Sequence, residues 1–182
     1  RGVDKDVFRP RIDEGIKKIL NPKNKEKIII YVGRISKEKN LINLCKMTKR
    51  LPDYQFVFVG DGPLKNKLSK EHSEILFLGY KFGEELSKYY SIADCSVFPS
   101  INDTFGNTIL ESISCGTPVA AYPVNGPVDI IENKISGFCD ENLELAIFES
   151  LKCDQQKVVK SIEKYTWQNC FKIFENQLLK LT

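Results

Sequence analysis

An α/β fold on a doubly wound parallel sheet is what this sequence predicts, and three observations predict it. Five apolar runs of strand length begin at residues 28, 56, 75, 95 and 118. Within each run apolarity is continuous rather than alternating, the mark of strands buried on both faces. The roughly twenty residues between run starts leave room for one helix and two loops, as a right-handed crossover requires.

Each element has its own justification. Residues 1–26 read as an irregular, extended lead-in, with Asn21-Pro-Lys-Asn-Lys-Glu26 as a charged loop. Ile28–Val32 is the first strand. The following segment carries Leu41, Leu44, Cys45 and Thr48 on one face, with Asn40 as its expected cap. After the strand Phe56–Val59, Gly60-Asp-Gly62 leads to Pro63 at an expected first helical position, with Leu64 and Leu68 inward. Ile75–Leu78 is the third strand. Glu84–Ile92 turns Leu86, Tyr89, Tyr90 and Ala93 inward, with Glu84 and Lys88 as an exposed i,i+4 pair. Cys95–Phe98 is the fourth strand. Asn107–Cys115 is a helix with Ile109, Leu110 and Ile113 inside and Gly116 ending it. Pro118–Ala121 is the fifth strand.

Beyond it the rhythm weakens. Val128–Ile131 reads as a short helix, Gly137–Cys139 as a sixth strand, and 141–152 and 155–164 as helices. Thr166 caps a last helix with Trp167, Phe171, Phe174 and Leu178 on one face. That stripe fits docking on its own sheet or covering a second domain.

Composition narrows the function classes. The chain has 182 residues, 42% hydrophobic and 28% charged, which suits one soluble domain with a genuine core. A net charge of +3 is too mild to argue for nucleic acid. No apolar run approaches a membrane span, and the polar opening Arg1-Gly-Val-Asp-Lys-Asp6 does not read as a secretory leader. The six cysteines form no C-x-x-C pair and read as reduced thiols of a cytoplasmic protein, not a zinc site. The lone His72, in a polar stretch, reads as a surface residue and leaves a His-based triad without a base.

In such a sheet ligands bind beyond the C-terminal ends of the strands. The loop Gly33-Arg-Ile-Ser-Lys-Glu-Lys-Asn40 offers Arg34 as a bidentate fork and Lys39 as a point charge for phosphate. It also reads as a solvated charged loop. Gly60-Asp-Gly-Pro63 lacks the lysine and hydroxyl of a P-loop and reads as a tight turn. The pair Tyr80 and Phe82, among glycines, fits the border of a nucleobase or ordinary packing. The loop 99–106 runs into Asp103-Thr-Phe-Gly-Asn-Thr-Ile-Leu-Glu111, two acids flanking a helix N-terminus. The N-terminus suits phosphate and the acids suit sugar hydroxyls. A cationic loop and a diacid loop on one sheet edge fit a nucleotide-sugar.

Taken in order, Gly33–Leu41, Val59-Gly-Asp-Gly-Pro63, Phe77-Leu-Gly-Tyr80, Ala93–Ser100 and Thr104-Phe-Gly…Leu-Glu111…Gly-Thr-Pro-Val119 resemble the signatures of the family-four retaining glycosyltransferases. Those enzymes have the GT-B fold, two Rossmann-like halves with the active site between them. The Asp-Thr-Phe-Gly variant, with 121–129, is similar to the α-mannosyltransferase-like, sulfolipid-synthase-like and digalactosyldiacylglycerol-synthase-like subgroup.

The resemblance covers only the C-terminal, donor-binding half. It implies a lead-in over 1–26, a Rossmann-like nucleotide-sugar domain of about six strands over 27–164, and a helix over 165–182 that packs toward a missing N-terminal, acceptor-binding domain. It implies Arg34 and Lys39 on the diphosphate, Glu111 on the ribose and Asp103 on the transferred sugar. Gly33, Thr104, Phe105, Gly106, Asn107 and Thr108 would line the phosphates and sugar, and Tyr80 the base. It further implies a UDP- or GDP-hexose donor, a lipid or glycan acceptor, no metal or other cofactor, and a cytoplasmic enzyme, peripheral to the membrane where the acceptor is a lipid. The excised half alone is expected to bind nucleotide-sugar with little or no transfer. Two alternatives have the same appearance: a non-catalytic nucleotide-binding module or partner subunit, and a related GT-B epimerase. An NAD-type site is disfavoured, since no G-x-G-x-x-G follows the first strand.

Overall fold

The computed structural model describes residues 2–102 and 106–178. Six parallel strands, β1 (Lys27–Val32), β2 (Tyr54–Val59), β3 (Leu76–Phe77), β4 (Cys95–Phe98), β5 (Val119–Ala121) and β6 (Gly137–Cys139), form one sheet in the order β3-β2-β1-β4-β5-β6. The order reverses between β1 and β4, where Ile29 stands opposite Cys95 and Ile30 opposite Ser96. This is the switch point at which doubly wound sheets take their ligands.

Strand alternation divides the core. Ile29, Tyr31, Phe56 and Phe58 face one side, packed with Leu41, Leu44 and Leu68 and with Leu143, Ala146 and Ile147. These come from α2 (Leu41–Met47), α3 (Lys65–Glu71) and α7 (Leu143–Ser150). Ile28, Ile30, Val57 and Val59 face the other side, against Leu86, Tyr89 and Tyr90 of α4 (Gly83–Ile92). Further along that side, Phe98, Val119 and Ala121 meet α5 (Asn107–Ser114), α6 (Pro127–Ile130) and α8 (Gln155–Ser161) through Ile109, Ile113, Ile130 and Val158. β1, β2, β4 and β5 are buried on both faces, as their continuous apolarity predicts, whereas the edge strand β3 shrinks to two half-buried residues.

Several expectations need correction. Residues 1–26 are not irregular: α1 (Glu14–Leu20) is a helix whose N-cap Asp13 accepts from Ile16 N at 3.0 Å and whose Leu20 is fully buried. Its apolar stripe is short, Ile16, Ile19 and Leu20, and Leu20 is its one buried residue. The same segment is wired to α4. Arg11 Nη2 donates to Glu84 at 3.2 Å, and Lys88 pairs with Asp13 at 3.1 Å, so Glu84 and Lys88 pair outward and not with each other. Pro63 sits in a turn, because Leu64 N is drawn to Ile35 O at 3.0 Å and α3 begins only at Lys65. Asn40 caps nothing with its side chain. Its backbone is left-handed, φ 52°, and joins a 3₁₀ turn over Lys37–Lys39 to α2. His72 is half-buried, its Nδ1 3.2 Å from Glu74.

The last helix, α9 (Trp167–Leu178), does not dock on its own sheet. Trp167, Phe171 and Phe174 are 57%, 62% and 58% exposed. Its start is tied to the N-terminal segment, since Val3 pairs with Thr166 and Val3 N donates to Tyr165 O at 2.9 Å. All six cysteines are free thiols, Cys45, Cys95 and Cys115 buried.

Candidate functional site

The loop leaving β1 is laced to the loop leaving β2. Gly33 N donates to Val59 O at 3.0 Å, and Ile35 N to Asp61 O at 2.8 Å. The approach is so close that a Cβ on Gly60 would lie 1.9 Å from the Gly33 carbonyl oxygen. Gly60 therefore serves backbone contact, and the Gly60–Pro63 stretch is the structural turn that its sequence predicts. Buried Ile35 anchors the loop and leaves Arg34 exposed beside it. The Tyr31 hydroxyl, rising from β1, donates to the Arg34 carbonyl at 2.8 Å and fixes the backbone that carries the guanidinium. Lys39, half-buried, ends the 3₁₀ turn.

Between the two cations lies an acid that sequence reasoning passed over. Ser36 Oγ donates to Glu38 at 2.5 Å. That hydroxyl first, and the charges of Arg34 and Lys39 to a lesser degree, hold the Glu38 carboxyl below its ordinary value. The signal was present in the Ser-Lys-Glu-Lys run, but only the fold shows which way the acid turns.

On the neighbouring strand, β4, the chain leads to Gly106 at the N-cap of α5. Its φ is 79°, and an added Cβ would meet Ile109 Cδ1 at 2.8 Å. Exposed Asn107 and half-buried Thr108 open the helix, whose first amides and dipole face the same edge as the β1 loop. Asp103, Thr104 and Phe105 lie outside the described residues.

Glu111, one turn on, is held from below. The Tyr90 hydroxyl donates to Glu111 Oε2 at 3.2 Å. Burial raises the Glu111 carboxyl above its ordinary value, and the Tyr90 bond partly offsets that. Glu111 lines a cleft of ≈ 200 Å³ with Val3, Phe8, Asn107 and Trp167. Tyr90 appears in the sequence only as one of four inward residues of a helix. Its partner is 21 positions away, and no local pattern reveals it.

The topology thus brings Gly33, Arg34 and Lys39 beside Gly106, Asn107, Thr108 and Glu111, at the C-terminal ends of adjacent strands. Tyr80 stands apart, on the loop after the edge strand, but leans back. Its hydroxyl reaches Asp61 O at 3.4 Å, and its ring stacks on Phe82 at 5.8 Å and 19°. Both rings are exposed, a flat apolar surface beside the Asp61 turn. Among the described residues no three His, Cys, Asp or Glu side chains are grouped to hold a metal, and no helix is long and apolar enough to cross a membrane.

Comparison with known proteins gives the chain's family and relatives of its fold. The model of the family "Glycosyl transferases group 1" matches residues 13–147. The sulfoquinovosyl transferase of Arabidopsis thaliana is 37% identical over 141 residues, which cover 75% of this chain and 28% of that protein. The GDP-mannose-dependent alpha-mannosyltransferase of Corynebacterium glutamicum is 34% identical over 138 residues, 75% of this chain and 33% of that protein. Anabaena HepE, solved in complex with UDP, superimposes with a TM-score of 0.79 over 98% of this chain and 56% of its own, at 17% identity, a likeness of fold. The chain therefore spans about a third or less of these two curated relatives' lengths.

Proposed function

This chain belongs to the glycosyl transferases group 1, and from that premise we propose that it is the donor-binding half of a retaining GT-B hexosyltransferase. In this reading the parent enzyme transfers a hexose from a UDP- or GDP-sugar to a lipid or glycan acceptor. The observation that carries the proposal is the meeting of the Arg34–Lys39 loop with the α5 N-terminus and Glu111 at the switch point between β1 and β4.

The chemistry follows from charge. Cleaving a glycosyl bond to a nucleoside diphosphate builds negative charge on the leaving group. Arg34, Lys39 and the first amides of α5 are preorganised cations and dipoles that stabilise it, without a metal. One such donor is commonly worth about 2.7–4 kcal/mol. Glu111 accepts from the ribose hydroxyls, Tyr80 borders the base, and Gly33, Asn107 and Thr108 line the diphosphate. Asp103, with Thr104 and Phe105, is assigned the transferred hexose. One relative is named for GDP-mannose and one structural neighbour was solved with UDP, which supports keeping both bases.

The acceptor side belongs to an N-terminal half, toward which α9 packs through its exposed Trp167, Phe171 and Phe174. This chain alone binds donor and transfers little. The parent works in the cytoplasm, peripheral to the membrane if its acceptor is a lipid.

Calorimetric titration with UDP, GDP and their hexoses tests this. Arg34→Ala and Lys39→Ala are each expected to weaken diphosphate binding about tenfold or more. A folded chain that binds neither diphosphate overturns the proposal, and unchanged affinity in both variants overturns the cation roles.

A further inference from the structure

We infer that Tyr90 is a positioning residue of the donor site. Its hydroxyl fixes one oxygen of the Glu111 carboxylate and leaves the other for the ribose hydroxyls of a bound nucleoside diphosphate. The inference rests on the reading above, in which Glu111 meets the ribose.

Tyr90 is fully buried in α4, with both its backbone and its ring held by neighbours. Its carbonyl accepts from Thr117 Oγ1 at 2.5 Å, and Phe8 packs edge-on against the ring at 6.4 Å and 66°. A phenol in such a place gains nothing in packing over phenylalanine, and its hydroxyl must find a partner or lose its hydration uncompensated. Among the described residues that partner is Glu111 Oε2, at 3.2 Å. A rigid donor beneath one carboxylate oxygen removes the side chain's freedom to rotate, so the ordering cost is met before the ligand arrives.

Among the described residues, burial and the Tyr90 hydroxyl are what shift the Glu111 carboxyl. Asp4 of the N-terminal segment lines the same cleft, and Cys115 follows on α5. Tyr31 of β1 lies near enough to Tyr90 that its charge would raise that phenol further. Arg11 acts on Cys115. Losing the Tyr90 bond therefore leaves burial unopposed, and the Glu111 carboxyl titrates higher still.

The test is titration of the chain with UDP, GDP and their 2′-deoxy counterparts from mildly acid to neutral pH. Wild type, Tyr90→Phe, Glu111→Gln and the double variant are compared, with melting temperatures to confirm folding. Wild type is expected to prefer the ribonucleotide. Tyr90→Phe is expected to lose about fivefold in ribonucleotide affinity and to move its acid limb to higher pH, with the deoxynucleotide little affected. In the Glu111→Gln background the same substitution is expected to cost nothing more, because Tyr90 acts through the carboxylate. A folded Tyr90→Phe with wild-type affinity and an unmoved acid limb overturns the inference alone. Additive losses in the double variant also overturn it. Failure of folded wild type to bind any diphosphate overturns the donor-site reading itself.

Discussion

Burial raises the Glu111 carboxyl above its ordinary 4.5, the opposite of what a stabilising acid shows. The folded chain holds this proton at pH values where the unfolded chain has released it. Stability therefore falls as pH rises from about 4.5 through the raised folded value. Glu111→Gln keeps an acceptor for the Tyr90 hydroxyl and removes the charge. It is expected to melt a few degrees higher than wild type at neutral pH, with the difference vanishing below pH 4.5, while nucleotide affinity falls. Equal melting at neutral pH would contradict the burial argument. Gly60 gives the reverse case, a residue kept for fold alone. Its added Cβ would press on the Gly33 carbonyl at 1.9 Å, at a backbone φ of 141°. Gly60→Ala is expected to cost about 3 kcal/mol or more in denaturant unfolding, and to weaken ligand binding only through the displaced Arg34 loop. The sequence offers Arg34 and Lys39 as candidates because they follow a strand end, and Glu111 because with Asp103 it flanks a helix N-terminus. It could not identify Tyr90, Glu38 or Ser36, whose meaning lies in which neighbour the fold turns toward them.

At the scale of elements, legibility follows burial. β1, β2, β4 and β5 were readable because a strand covered on both faces needs an unbroken apolar run. α4 and α5 were readable because one face of each is apolar at helical spacing, with Leu86, Tyr89 and Tyr90 or Ile109, Leu110 and Ile113 inside. α1 escaped because it buries one residue fully, Leu20, and draws the rest of its definition from the Asp13 cap and contacts with α4 some seventy positions away. α9 has the opposite character, a clear aromatic stripe left uncovered. Phe171 and Phe174 contribute little to this chain's own core. Phe171→Glu with Phe174→Glu is thus expected to leave unfolding free energy within about 0.5 kcal/mol per site and to reduce concentration-dependent light scattering. A large loss of stability would mean that the helix does pack on this half.

The whole molecule couples its site to its stability, because the ligand edge is assembled from loops that belong to opposite faces of one sheet. The Arg34 loop leads into α2 on one face, and the Glu111 helix lies on the other. The cleft beside Glu111 is closed by Val3 and Phe8 from the start of the described chain and Trp167 from near its end. In the proposed donor site no single element holds the ligand alone, so binding would favour the folded chain as a unit. A ligand that binds only the folded state stabilises it by about 2.7 kcal/mol at a hundred times its dissociation constant. For a domain of this length that is a rise in melting temperature of about 5–10 °C. The same measurement selects the base. In the proposed site UDP and GDP present the same diphosphate to Arg34 and Lys39, so a difference between their shifts reads the base contact that the Tyr80–Phe82 stack is proposed to make. Tyr80→Ala is expected to shrink that difference without removing the common diphosphate shift. If neither nucleotide moves the melting temperature at saturating concentration, the loops at the switch point do not form a donor site.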